Sequence, residues 1–281
     1  MQQTSELYKR LLNDINHYFE ISVLIGDGDD LLIDDEGKNI TFGGIEIIVG
    51  DGSVDSGYRE NMIMDMSANN TLFNSSTPSV GNCISAEIDV EMLKPKSTFP
   101  NAAPIRPFVR VTNGAEHSEW LPQGVYFIDT RQTTKRSNGR EVISMHGYDA
   151  MMRAEQYYPS TDNYENYGEE SGDIDTILDT DMIDMIVAQM NAGLTEGSVS
   201  MVHFDDYDLI NREYYFPAVV GAYSCREVLS MIGAAYCGNW IIDENNYLRL
   251  IKLRSIPATQ LNVLTDDYGY SLTFGGEEIN V

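Results

Sequence analysis

With 281 residues, 42% of them apolar and 10% aromatic, the chain has a globular composition and room for one large or two ordinary domains. Forty-four Asp and Glu against 18 Lys and Arg leave a formal charge of -26 at pH 7. That balance argues against stable nucleic-acid binding, which needs clustered cations to displace phosphate counterions, and it disfavours anionic membranes. No apolar run is long enough to span a bilayer, and the amino terminus lacks the apolar stretch of a signal peptide, so no membrane insertion is expected and assembly in cytoplasm is.

In chain order, the first element is predicted as a helix from Ser5 to Ile15, with Leu7, Leu11, Leu12 and Ile15 on one face. A β-rich region follows to Arg153. Its runs are ISVLI at 21–25, IEIIV at 45–49, the alternation of Ile88, Val90 and Met92 against Asp89 and Glu91, then residues 108–111, 125–128 and 141–145. Asn138 and Gly139 give a strong hairpin-turn signal between the last two runs. Asp149 has the character of a helix N-cap before AMMRAEQ. The stretch reads as a β-barrel or curled antiparallel sheet closed by a small helix.

A composition break comes next, because residues 154–211 hold fourteen Asp or Glu and no Lys or Arg. Residues 159–172 read as an acidic polar linker. Asp173 is then expected to cap a helix with Ile174, Ile177, Leu178, Met182, Met185, Ile186 and Met190 at helical spacing and Gly193 past its end. A second helix is marked by a Ser224–Glu227 capping box and the stripe Val228, Leu229, Ile232 and Tyr236, with Gly238 ending it. Residues 240–243 and 247–253 are predicted to form a hairpin packed on that helix. The expected division is a barrel domain over 1–158, the linker over 159–172, a helix-and-hairpin α/β domain over 173–253, and over 254–281 the start of a second barrel or a return to the first. The last assignment comes from an echo: TFGGIEIIV at 41–49 and TFGGEEINV at 273–281 share seven of nine residues, by chance or because a second copy begins there.

No catalytic, cofactor or metal constellation can be read. Carboxylates are abundant, but a catalytic pair needs fixed separation and one raised pKa, which spacing does not display. The acidic run Asp27, Asp29, Asp30, Asp34, Asp35 and Glu36 misses the helix-loop-helix calcium template and reads as an exposed acidic hairpin or loop. His17, His117, His146 and His203 follow no metal spacing. Cys83, Cys225 and Cys237, odd in number and at no zinc spacing, are expected as reduced, packed thiols. The clustered methionines, such as Met62, Met64 and Met66, read as core filling. No enzyme is expected.

Three segments between Leu72 and Gln156 carry a likeness: LFNSSTPSVGNCISAEIDVEM, EWLPQGVYFIDTR and HGYDAMMRAEQ. In this order, over roughly 85 residues, they resemble the N-terminal region of the tail hub proteins of contractile and siphophage tails. The resemblance implies a virion structural protein at the baseplate or tail tip, joining the tail tube to the tip or spike. It implies two similar barrels per subunit and a homotrimeric ring of pseudo-sixfold symmetry. The channel of that ring would pass tape-measure protein and DNA during ejection. Partners would be tail tube or distal tail protein, tip, spike or fibre proteins, and tape-measure protein. Pro78, Gly81, Asn82, Trp120, Pro122, Gly124, Tyr148 and Asp149 would be signature positions for turns, strand packing and capping, none of them catalytic. Two other classes remain: a carbohydrate-binding β module using Trp120 or Trp240, and the non-catalytic N-terminal part of a tail-associated peptidoglycan hydrolase.

Overall fold

The computed structural model describes residues 4–26, 41–42, 45–46, 54, 57–73, 77–95, 99–159, 176–205, 215–217, 223–253, 273–274 and 277–278. The fold is mainly β, with α+β character, and is dominated by one large antiparallel sheet. Helix α1 (Glu6–Leu12) starts where Ser5 Oγ accepts the backbone N–H of Tyr8, and Glu6 and Lys9–Arg10 complement its dipole at the two ends. It stops before the predicted Ile15 because polar side chains compete for the backbone. Asn13 Nδ2 donates to Lys9 O, and Asp14 Oδ1 accepts from Asn16 N. Only Leu11 of the expected apolar face is buried, and Ile15 is 95% exposed.

Strand β1 (Tyr18–Ile25) is followed by a two-rung hairpin of β2 (Thr41–Phe42) and β3 (Ile45–Glu46). Then come β4 (Ile63–Asn69), β5 (Glu87–Leu93), β6 (Pro104–Thr112), β7 (Leu121–Pro122), β8 (Tyr126–Lys135) and β9 (Glu141–Asp149). The sheet runs β1-β6-β8-β9-β5-β4, with β7 added on β6. Its two ends are drawn together by Tyr58, just before β4, which exchanges two 2.8 Å backbone hydrogen bonds with Val23 of β1. The chain can come this close only because residue 57 is glycine: a Cβ there would lie 2.4 Å from Ser22 Oγ and 3.0 Å from Val23 O. One bridging residue thus converts a curled sheet into a barrel.

Alternation fills that barrel. Ile88, Val90 and Met92 point inward with Val23, Ile105, Tyr126, Ile128 and Met145, each large apolar side chain contributing ~1.5–3 kcal/mol by burial. The Asn138–Gly139 turn closes the β8–β9 hairpin as predicted, with Gly139 at φ 81° and Arg140 N donating to Asn138 Oδ1.

The second body of structure comprises β10 (Thr176–Leu178), α2 (Asp179–Met190), β11 (His203–Phe204), β12 (Tyr215–Pro217), α3 (Cys225–Ala235), β13 (Gly238–Ile242) and β14 (Tyr247–Lys252). The predicted hairpin is β13 against β14, and β11 joins β14 in parallel. Met182, Ile186 and Met190 lie buried on α2 as the periodicity requires, with Ile183 beside them. Ile177 and Leu178, however, belong to strand β10. Their partner is β12, almost forty residues later, a pairing that local helical spacing cannot reveal. At the end of α3 the left-handed residue is Cys237, φ 53°, and Gly238 already opens β13. Cys237 is exposed, unlike the packed thiols Cys83 and Cys225.

A second core lies between α2, α3 and the β13–β14 hairpin, and it also takes in Cys83, Val125, Phe127, Met151 and Tyr158. Strand β8 therefore serves both cores, Tyr126 and Ile128 facing one and Phe127 the other. The echoed segments form identical two-rung hairpins: Thr41 pairs with Glu46 and Phe42 with Ile45, and β15 (Thr273–Phe274) meets β16 (Glu277–Glu278) in the same register. The rest of residues 254–281, the acidic run at 27–36, the IEIIV run beyond Glu46, the Asp173 cap with Ile174, and residues 160–175 and 206–211 of the acidic stretch lie outside the described residues.

Candidate functional site

The motif residues converge on the seam between the barrel and the helix-and-hairpin block. Helix α3 begins with the predicted capping box, Ser224 Oγ accepting from Glu227 N while Glu227 Oε2 accepts from Ser224 N at 2.8 Å. This fixes the helix start and sets Arg226, in its first turn, against the barrel side. Arg226 donates to Cys83 O, to Ser85 Oγ at 3.1 Å and to Met151 O at 3.0 Å. Its Nε lies 2.6 Å from Glu155 Oε1 in an ion pair whose angle departs from a hydrogen bond. One side chain on α3 thereby holds the PSVGN-CIS segment and the 3-10 turn Ala150–Glu155 together. Sequence reasoning missed it. The available signal was a cation in the first turn of a capped helix, where the dipole opposes positive charge and an external partner is needed.

The PSVGN turn inserts beside α3 and β13. Gly81 N donates to Gly238 O, and Asn82 O accepts from Trp240 N, both at 2.8 Å. Asn239, fully buried, accepts from Asn82 N at 2.8 Å and donates to Ser79 O at 2.9 Å and Leu72 O at 3.1 Å. Gly81 sits at φ 79°, and a Cβ there would press to 2.7 Å from Ser230 O. Trp240 then locks the hairpin on α3, its Nε1 donating to Leu229 O at 2.8 Å. Buried amide networks of this kind stabilise only when their groups are satisfied, and here the two asparagines bond each other and the Ser79 and Leu72 carbonyls.

On the other side of the seam is a cleft of about 200 Å³ lined by Pro122, Gly124, Tyr126, Asp149, Asp243 and Glu244. Asp149 caps the 3-10 turn as predicted, Oδ1 accepting Met151 N at 3.0 Å. It is only 5% exposed. Burial pushes its carboxyl up to about 7, against hydrogen bonds from the Ala86 and Met151 backbone and the Arg226 charge. Burial, with a contribution from Asp149, raises the Tyr126 phenol to about 12. Burial also raises Asp243, with neighbouring Glu244 adding to it and backbone hydrogen bonds from Tyr247 and Asn245 opposing.

Gly81, Asn82, Pro122, Gly124 and Asp149 therefore meet at one seam, with Pro78 exposed just before the turn. Trp120 and Tyr148 do not line it. Trp120 stands under the guanidinium groups of Arg110 and Arg59, 4.3 Å and 5.1 Å from its ring centre. Tyr148 packs edge-on to His146, whose Nδ1 is 2.9 Å from Asp89 Oδ1. Of the remaining histidines, His17 contacts Asp14 O, His117 lies 3.5 Å from Glu20 and His203 stacks on Tyr247. Among the described residues no three His, Cys, Asp or Glu gather as a metal site, and no helix is long and apolar enough to cross a membrane. The Cys83 thiol is pushed up to about 12 by burial and Cys225 to about 11, so neither is poised as a nucleophile.

No protein-family model matches the chain, and no curated protein does. Among solved structures it is similar to the 43 kDa tail protein of prophage MuSo2 from Shewanella oneidensis. That match has 11% identity and a TM-score of 0.44, and covers 86% of this chain and 57% of that one. The tail protein from Neisseria meningitidis MC58 matches at 10% identity and TM-score 0.40, covering 90% and 53%. A chain of the half-lidded Francisella PdpA–VgrG complex matches at 9% identity and TM-score 0.41, covering 86% and 33%. The chain thus spans between a third and just over half the length of these proteins.

Proposed function

We propose that this chain is a non-enzymatic structural subunit of a phage tail or related injection particle, a hub that joins the tail tube to the tip or spike around a central channel. The observation that supports it is the convergence at the seam. The segments that resemble tail hub proteins are far apart in sequence, yet Gly81, Asn82, Pro122, Gly124 and Asp149 all fix how the barrel meets the helix-and-hairpin block. Residues that set the relation between two bodies are what a ring component needs, since its ring geometry depends on that relation. In this role it assembles as a homotrimer in the host cytoplasm and contacts tube or distal tail protein, tip, spike or fibre proteins and the tape-measure protein.

The carbohydrate reading loses its anchors. Trp240 is buried in the second core, and the Trp120 ring is already occupied by two guanidinium groups, leaving neither as a free stacking platform. Native mass spectrometry of the full chain, alone and bound to tail-tube particles, tests the proposal. A trimer in at least one state is the expected result, together with no turnover of peptidoglycan, peptides or glycans. A monomer inside an assembled particle, or turnover abolished by changing one carboxylate, overturns it.

A further inference from the structure

The seam is zipped at one end and parted at the other. Gly81 N donates to Gly238 O, Trp240 N donates to Asn82 O, and Cys83 is bridged to Trp240. Just beyond this pairing the cleft intervenes, with Ala86 and Asp149 on the barrel side and residues 241–244 on the other. The barrel side also includes the turn at Gln123 and Gly124. That turn is fixed by Gln123 N donating to Pro107 O at 2.9 Å and by the Tyr126 hydroxyl donating to Gln123 O at 3.1 Å. One wall is therefore tied down, and the other ends in the β13–β14 turn.

Asp149 is the most buried carboxyl of this cleft, and it is anchored on the barrel side, its own N–H donating to Ala86 O at 2.9 Å. Strand β8 sets the Tyr126 phenol beside it, and the β13–β14 turn brings Asp243 and Glu244 into the same cleft. From α3 the Arg226 charge acts on it, but that guanidinium is already committed to Cys83 O, Ser85 Oγ, Met151 O and Glu155. Arg153 of the 3-10 turn is engaged with Ser200 O and the Phe127 ring. Ionised, Asp149 would thus be a third carboxylate in a space of about 200 Å³, and it would need water to hydrate it. Burial, which raises it to about 7, marks the charged form as the one the closed cleft resists.

We propose that the cleft is a proton-operated wedge, in which loss of the Asp149 proton to solvent draws in water and parts residues 241–244 from the barrel about the fixed Gly81–Trp240 pairing. The inference goes beyond the hub reading and does not depend on it. The parting is local, because the second core and the Arg226 contacts lie on the zipped side of the carboxyl. In the closed form Asp149 keeps its proton, whereas in the parted form it is hydrated and ionises at its ordinary value. Opening is therefore linked to the release of one proton. It grows easier as pH rises and levels off once the closed form has itself ionised.

Hydrogen–deuterium exchange of the full chain tests this, read by mass spectrometry at about pH 5.5 and about pH 8.5 and corrected for the chemical pH dependence of exchange. Peptides over 121–128 and 238–247 are expected to open about tenfold or more readily at the higher pH, while β5 keeps its protection. The Asp149→Asn variant is expected to open equally at both pH values. A parent seam that opens equally at both, a rise shared by β5, or a rise that survives in the variant overturns the wedge. Should the variant not fold, the parent decides alone. A rise confined to the seam and levelling off near the raised value of Asp149 supports the wedge, and any other profile refutes it.

Discussion

At the residue scale, Asp149 is the group whose environment is most at odds with its chemistry. Its carboxyl caps a 3-10 turn and is held beneath the barrel wall, and burial raises it to about 7 from an ordinary value near 3.8. A folded-state value above the unfolded one means that the group favours folding fully below the unfolded pKa. That contribution is lost as pH rises through the folded pKa. Stability should therefore decline between about pH 4 and pH 7 because Asp149 must ionise in place. Asp149→Asn keeps an acceptor for Met151 N and removes the charge. Relative to the parent, the variant should gain roughly 1–3 kcal/mol on going from pH 5 to pH 8, at about 1.4 kcal/mol per pKa unit. Urea melts at the two pH values measure this, and a constant difference between the proteins would show that the carboxyl is not shifted.

At the element scale the PSVGN turn is the part whose failure should loosen the seam. Gly81→Ala imposes a left-handed backbone on a side chain and drives Cβ into Ser230 O. A loss of about 2–4 kcal/mol is expected by thermal melting, more than strain at φ above zero alone. Faster hydrogen exchange across β13 should accompany it, and an unchanged melt would mean the turn is free to move. This turn also illustrates how much could be read beforehand. The capping box at Ser224 and Glu227, the Asp149 cap, the alternation in β5 and the Asn138–Gly139 turn were legible, because each is decided within a few residues. The β10–β12 pairing, the Val23–Tyr58 closure and the Asn82–Asn239 contact, 157 residues apart, were not. Each depends on a partner that only the folded chain supplies. The motif residues were thus named from sequence, but the seam they build and the Arg226 that ties it were visible only in three dimensions.

At the scale of the whole molecule the acidic excess needs a place. In a ring that passes a polyanion, like charge on the wall lets the strand slide, whereas opposite charge would hold it through phosphate contacts. If the chain forms the ring proposed above, its lumen is expected to be lined by more Asp and Glu than Lys and Arg, checked by the electrostatic potential of a reconstructed ring. A neutral or positive wall, with the acids spread over the outside, would leave solubility as the use of the charge. Strand β8 is shared between two cores of the single chain. Tyr126 and Ile128 anchor it on one side and Phe127 on the other. Cutting the chain after the barrel would strip cover from Val125, Phe127, Met151 and Tyr158 and leave a sticky wall, so neither half is a self-sufficient fragment. A pull applied to the hairpin block is passed into the barrel through the β8 side chains that pack on both cores.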